Sequence, residues 1–179
     1  HLFAKLFAKV LSLRLAPKLC MMVSTNQSAF IAGRCIHDNF LLVQQTARLL
    51  HNLKMPRVHL KLDIVRAFDS VSWAFLLDTL SHLGFRWRWR EWISILLSMV
   101  STRVFINWRP GNPIGHACGL RQGNSISPML FVLVIDVLNS LITQAAARGV
   151  LQWLTTRHAA SSISLYADNV VVFCHPDNN

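Results

Sequence analysis

The chain has 179 residues, 53% hydrophobic and 15% charged, which suits one domain with a sizeable core. Eighteen Lys and Arg against eight Asp and Glu give a formal charge of +10, which favours a polyanionic partner, either nucleic acid or acidic lipid. Four cysteines (Cys20, Cys35, Cys118, Cys174) show no CxxC and no paired spacing, so they read as buried free thiols and exclude a disulfide framework or a zinc site.

Residues 2–16 place Leu2, Phe3, Leu6, Phe7, Val10, Leu11 and Leu13 at helical spacing, and Pro17 should end or bend that helix. Its cations, Lys5, Lys9, Arg14 and Lys18, come without an acid, the pattern of a targeting peptide or membrane-surface helix as well as of a buried one. A second helix is expected over 38–53, with Asp38 suiting the dipole of its first turn. A strand over 58–64 follows, then a helix near 71–83 capped by Asp69 or Ser70 and ended by Gly84.

Arg86-Trp87-Arg88-Trp89-Arg90-Glu91-Trp92 interleaves arginines with indoles. It reads either as a clamp for single-stranded nucleic acid or as the entry to a helix over 89–99 with Trp89, Trp92 and Leu96 inward. Short strands over 102–107 and 112–117 should flank a turn at Arg109-Pro110-Gly111-Asn112. A core helix is expected over 128–148; Asp136 and Asn139 interrupt its apolar run, leaving it too short to span a bilayer, and Asp136 reads as a helix-surface acid. Residues 149–161 read as a loop or short hairpin.

Last comes Tyr166-Ala167-Asp168-Asn169 between Ile163-Ser164-Leu165 and Val170-Val171-Val172-Phe173, a strand, turn and strand with an acid and an amide at the tip. Asp and Asn are ordinary turn residues, so the tetrad alone is weak. Asp63, near the end of Val58–Ile64, strengthens it, because an acid on an apolar strand is costly without a cation. Two neighbouring strands, each offering one Asp, can hold two divalent cations about 3.5–4 Å apart for phosphoryl transfer.

Three segments carry a resemblance: Lys61-Leu62-Asp63-Ile64-Val65-Arg66-Ala67-Phe68-Asp69, then Gly119-Leu120-Arg121-Gln122-Gly123-Asn124-Ser125-Ile126-Ser127-Pro128, then Tyr166-Ala167-Asp168-Asn169. In this order they resemble successive motifs of reverse transcriptases, most of all those of non-LTR, LINE-type retrotransposons and of plants especially. Asn26-Gln27-Ser28-Ala29-Phe30-Ile31-Ala32-Gly33-Arg34 resembles the segment that precedes the first motif. The likeness implies an α+β fold, a right-hand polymerase piece with a small antiparallel palm sheet backed by helices. Residues 1–57 would be fingers-like helices and 58–179 the palm with inserted helices.

The resemblance further implies that Asp63, Asp168 and the carbonyl of Ile64 ligate two Mg²⁺, with Mn²⁺ as a substitute. Phe68 would lie against the sugar and exclude a ribose 2′-hydroxyl, although it also reads as a core ring starting the next helix. Gln122 and Gly123 would lie beside the incoming nucleotide, and Tyr166, Arg121 and Arg34 are candidates for primer or template contact. The implied partners are an RNA template, a DNA primer and a deoxynucleoside triphosphate, with no membrane; the implied location is nuclear and cytoplasmic, not secreted.

Two departures stand out. Asn169 occupies the place of a second aspartate, and Asn124-Ser125-Ile126 replace the usual Asp-Pro-Leu. Both acid losses are Asp→Asn, which one G-to-A transition can produce, as expected of a decaying element copy. The family also expects a thumb and an endonuclease region that these 179 residues do not carry. The expectation is therefore an RNA-directed DNA polymerase domain, weakly active or inactive; the alternative is a non-catalytic, basic nucleic-acid-binding remnant.

Overall fold

The computed structural model describes residues 2–54, 58–152 and 163–174. These form two compact units of interleaved segments, one from 1–15 and 66–134, the other from 16–65 and 135–179. The expected loop at 149–161 lies mostly outside the described residues.

Helix α1 (Leu2–Met22) runs past Pro17 and does not end there. Buried Ala8, Leu11, Leu15, Leu19 and Val23 recur every three or four residues along it, and this stripe carries the helix through a proline that faces solvent. The stripe marks a packing helix; Leu2, Phe3 and Leu6 remain exposed on its first turns.

In the first unit, α3 (Trp73–His82) packs against α4 (Trp87–Ser98). The cap of α3 is Ser72, whose hydroxyl accepts from Phe75 N–H, rather than Asp69 or Ser70. Those two residues belong to a tight turn in which both of their N–H groups bond the Arg66 carbonyl. Gly84 does end α3: at φ +80° it lets Phe85 N–H reach Leu80 O and its own N–H reach Ser81 O, the paired bonds of a Schellman motif. Trp89 and Trp92 are half-buried against Phe85 and Phe7, whereas Trp87 is exposed beneath the Arg88 guanidinium. The Trp-Arg segment is thus mainly helix entry, as one of its two readings had it.

Two minimal ladders follow, β2 (Ser101–Thr102) with β5 (Ile114–Gly115) and β3 (Phe105–Ile106) with β4 (Arg109–Pro110). The tip is Asn107-Trp108, not the expected turn at 109–112, because the two positive-φ residues are Asn107 and Trp108 and Pro110 takes a place in the ladder.

In the second unit a three-stranded antiparallel sheet has the order β1 (Val58–Asp63), β7 (Asn169–Cys174), β6 (Ile163–Tyr166). Helix α2 (Ile36–Asn52) lies on it, with Leu50 and Val43 packed on Phe173 and Val171. Asp38 sits in the first turn of α2 as expected. The central strand β7 is covered on both faces, with Val170 and Val172 buried on one and Phe173 on the other beneath α2.

Helix α5 (Ser127–Ala147) has the length and composition to cross a membrane, contrary to the shorter apolar run expected. Its first half is packed, with Leu130, Phe131, Val132, Leu133 and Ile135 buried, and Asp136 and Thr143 have protein partners. Among these, Asp136 is no surface acid; it is half-buried and accepts from both the N–H and the hydroxyl of Ser24. The cysteines form no disulfide, but Cys20, Cys35 and Cys118 are exposed instead of buried, on the outer side of α1, at the start of α2 and in a loop.

Candidate active site

Antiparallel pairing sets the site's geometry. β1 and β7 are in register from Val58↔Cys174 to Asp63↔Asn169, and β6 closes on β7 at Tyr166↔Asn169. Asn169 is therefore the residue directly across from Asp63, with Cα atoms about 4.5–5.5 Å apart for such a pair. Asp168 precedes it in the two-residue loop Ala167-Asp168. The two expected carboxylates are thus brought to one end of one sheet, and the amide lies between them. Asn169 Nδ2 donates to Asp168 Oδ1 at 3.3 Å, while Asp63 is exposed at the end of β1 and Ile64 follows as it leaves the ladder.

The loop is strained and braced. Ala167 is left-handed (φ +53°) and Asp168 is not, the sign pattern of a type II′ loop whose first position usually holds glycine. The Ala167 N–H donates to Gln27 Oε1 at 3.1 Å, and the same oxygen accepts from Ala29 N–H at 3.0 Å. Gln27 is 0% exposed. Its backbone neighbours extend the sheet beyond β6, since Leu165 N–H donates to Asn26 O and Ser28 N–H to Leu165 O. Asn39 on α2 adds a bond from Nδ2 to that same Leu165 carbonyl at 2.6 Å.

Sequence reasoning missed this brace of Gln27 and Asn39. The available signal was an amide directly before an apolar stretch in Asn26-Gln27-Ser28-Ala29-Phe30, read there only for its likeness.

Arg34, a candidate for template or primer contact, is engaged locally. Its guanidinium donates to the carbonyls of Cys20, Val23, Ser24 and Gln27, tying the end of α1 to the segment that pairs with β6. Tyr166 is half-buried at the end of β6.

Phe68 and the Gly119–Pro128 loop belong to the other unit. There the Phe68 ring stacks on buried Phe131, with centroids 4.4 Å apart and planes 17° from parallel. Gly119, at φ +88°, is pressed on the turn that follows Asp63, because a Cβ on it would meet Asp69 O at 2.8 Å. Its N–H donates to Val71 O, its carbonyl accepts from Trp73 Nε1, and Leu120 N–H donates to Phe68 O. The two motifs are thus fastened backbone to backbone. Beyond that seam Arg121, Gln122 and Gly123 are exposed along a cleft of about 380 Å³ whose wall includes Lys5, Leu96 and Asn124. Gly123 is left-handed (φ +81°) with open space at its Cβ position.

Asp63 and Asp168 offer hard oxygen donors, and among the described residues neither has a Lys or Arg partner on this basic chain. That donor set fits Mg²⁺ in kind. It is one carboxylate short of three, and no group of three or more His, Cys, Asp and Glu gathers among the described residues.

This is the palm architecture of a right-hand polymerase. Over 97% of its length the chain superposes on 30% of telomerase from Candida albicans, solved with a fragment of telomeric RNA, at a TM-score of 0.51 and 11% identity. The family model for reverse transcriptase (RNA-dependent DNA polymerase) matches residues 2–179, and the chain belongs to that family. It is 29% identical over 168 residues to the transposon TX1 uncharacterized 149 kDa protein of Xenopus laevis, covering 94% of this chain. It is 31% identical over 123 residues to the Pol polyprotein of the R2 retrotransposable element of Nasonia vitripennis, covering 65%. The chain spans 13% and 11% of the length of those two relatives.

Proposed function

We propose that this chain supplies the catalytic carboxylates of an RNA-directed DNA polymerase, which adds a deoxynucleotide to a primer 3′-hydroxyl, in a form weakened by Asn169. The observation that carries the reading is the register that sets Asp63 opposite Asn169, with Asp168 at the adjoining apex. Family membership and an RNA-bound structural neighbour support RNA as the template.

Asp63, Asp168 and the Ile64 carbonyl would hold Mg²⁺, which when bound stabilises charge on attacking and leaving oxygens. The protein's own part is positional. Gln27 fixes the loop that presents Asp168, and the β1–β7 ladder fixes Asp63 beside it. Phe68 is assigned the sugar-facing role, its plane held by Phe131, and Gln122 and Gly123 the nucleotide-facing role, with Gly123 leaving room for close backbone approach. Tyr166 and Arg121 remain candidates for strand contact. Asn169 puts a neutral amide where a third charge would face the cations, and its Nδ2 contact occupies an Asp168 oxygen. Nuclear and cytoplasmic location belongs to the same proposal.

The test is primer extension on an RNA template in Mg²⁺ and in Mn²⁺, comparing this chain with its Asn169→Asp and Asp63→Ala variants. Extension that rises at least tenfold with Asn169→Asp and disappears with Asp63→Ala is the expected result, a tenfold change being about 1.4 kcal/mol of barrier. Extension that survives Asp63→Ala would refute the carboxylate assignment. The second reading, a basic nucleic-acid-binding remnant, is favoured by the missing third carboxylate. It gains if a folded Asn169→Asp variant remains inert.

A further inference from the structure

The tip of the β3–β4 hairpin is built against its own local preference. A two-residue loop with positive φ at both positions is the type I′ turn, usually Asn-Gly. Here the pair is Asn107-Trp108, at φ +49° and +64°. A bulky residue in that backbone region is an outlier, and an outlier of this kind is a reason to look for function. Burial does not offset the strain, because Trp108 is 97% exposed.

Phe105 and Ile106, each 68% exposed, flank the tip on β3. Arg109 stands opposite Ile106, and Arg103 lies just before the ladder. Neither arginine has an ion-pair partner among the described residues, and the sequence carries no Asp or Glu between Glu91 and Asp136. The hairpin thus offers an uncovered indole and phenyl ring with two unneutralised guanidinium groups. The neighbouring β2 and β5 arms border a cleft of about 560 Å³ with a mixed polar and apolar wall that includes Thr102, His116 and Arg121, with Asp69 as its one acid. Thr102 Oγ1 and His116 Nε2 are 2.7 Å apart across those arms.

We infer that this hairpin is a docking surface for single-stranded nucleic acid, with Trp108 stacking on a base and Arg103 and Arg109 receiving flanking phosphates. Rings supply sequence-tolerant stacking and arginines neutralise the backbone, the combination that such strands require. Two arginines without an acid nearby suit a phosphodiester chain better than an apolar protein face. The inference rests on the hairpin's own rings and charges, not on the Asp63–Asp168 pair.

The experiment is fluorescence anisotropy of a labelled oligouridine of about twelve nucleotides titrated with the full chain. Trp108→Gly should weaken binding roughly tenfold or more, the loss of one stacked base. The same variant should melt no lower than the parent chain, since glycine suits a left-handed position. Trp108→Phe should bind within about threefold of the parent, keeping a ring to stack. Arg103→Gln with Arg109→Gln should lower the slope of log affinity against log salt by about 1.4, or 0.7 per phosphate.

Oligouridine binding is read without metal and without nucleotide, so that failure of the polymerase reading and failure of this one are told apart. Unchanged binding by Trp108→Gly overturns the inference. So does a Trp108→Gly effect confined to phosphatidylcholine–phosphatidylserine vesicles, or to self-association in sedimentation, with oligouridine binding intact.

Discussion

Replacing Gln27 by Met tests the brace under the carboxylate loop. The substitution keeps the side chain's volume and removes one oxygen that accepts two buried backbone N–H groups, from Ala29 at 3.0 Å and Ala167 at 3.1 Å. Each donor left unpaired costs about 1–3 kcal/mol. Part of that returns, because Gln27 Nε2 has no partner in the interior and methionine removes this orphaned donor too. The net expectation is a loss of about 2–3 kcal/mol, which is a large share of the 5–15 kcal/mol that a domain typically has. Urea unfolding of the full chain, followed by tryptophan fluorescence and by far-ultraviolet circular dichroism, measures it. Gln45→Met on the exposed side of α2 is the control and should move stability by less than about 0.5 kcal/mol. A loss below about 1 kcal/mol for Gln27→Met, no larger than one ordinary hydrogen bond, would refute the two-donor account.

Other substitutions separate the remaining features. Gly119→Ala should destabilise by at least about 2 kcal/mol in thermal unfolding, since it combines a left-handed backbone with a Cβ 2.8 Å from Asp69 O. Asp136→Ala should cost about 1–3 kcal/mol by urea titration, because it strands the Ser24 N–H and hydroxyl. Pro17→Ala should raise stability by about 1–3 kcal/mol, restoring a backbone donor inside α1; unchanged melting would mean that the helix already accommodates the ring without penalty.

The elements with a strong period or a chemical tip were legible in the sequence. The Ile163–Cys174 hairpin, the strand ending at Asp63 and the helix from Ser127 follow from alternation, turn chemistry and apolar spacing, and their bounds fall within one or two residues of expectation. The pairing of Asp63 with the hairpin was suggested by chemistry, but its register needed the ladder. Pro17 misled because a local rule was applied where a buried stripe decides. The Asn107-Trp108 tip escaped notice because Arg109-Pro110-Gly111-Asn112 holds the better turn formers, while the backbone reverses two residues earlier. Gln27, Asn39, Arg34 and Asp136 were invisible in their structural roles, since each acts on backbone groups far away in sequence or supplied by loops.

The sheet order has a consequence for biosynthesis. β1 ends at Asp63, and its ladder partner among the described residues, β7, begins at Asn169, so the first strand leaves the ribosome long before that partner does. At 5–20 residues per second that interval is about 5–20 s, during which Val58, Leu60 and Leu62 sit on an unpaired edge. A nascent chain of this topology is a natural client for chaperones that shield strand edges. The exposure of that open edge during synthesis is thus a hazard separate from the stability of the finished fold.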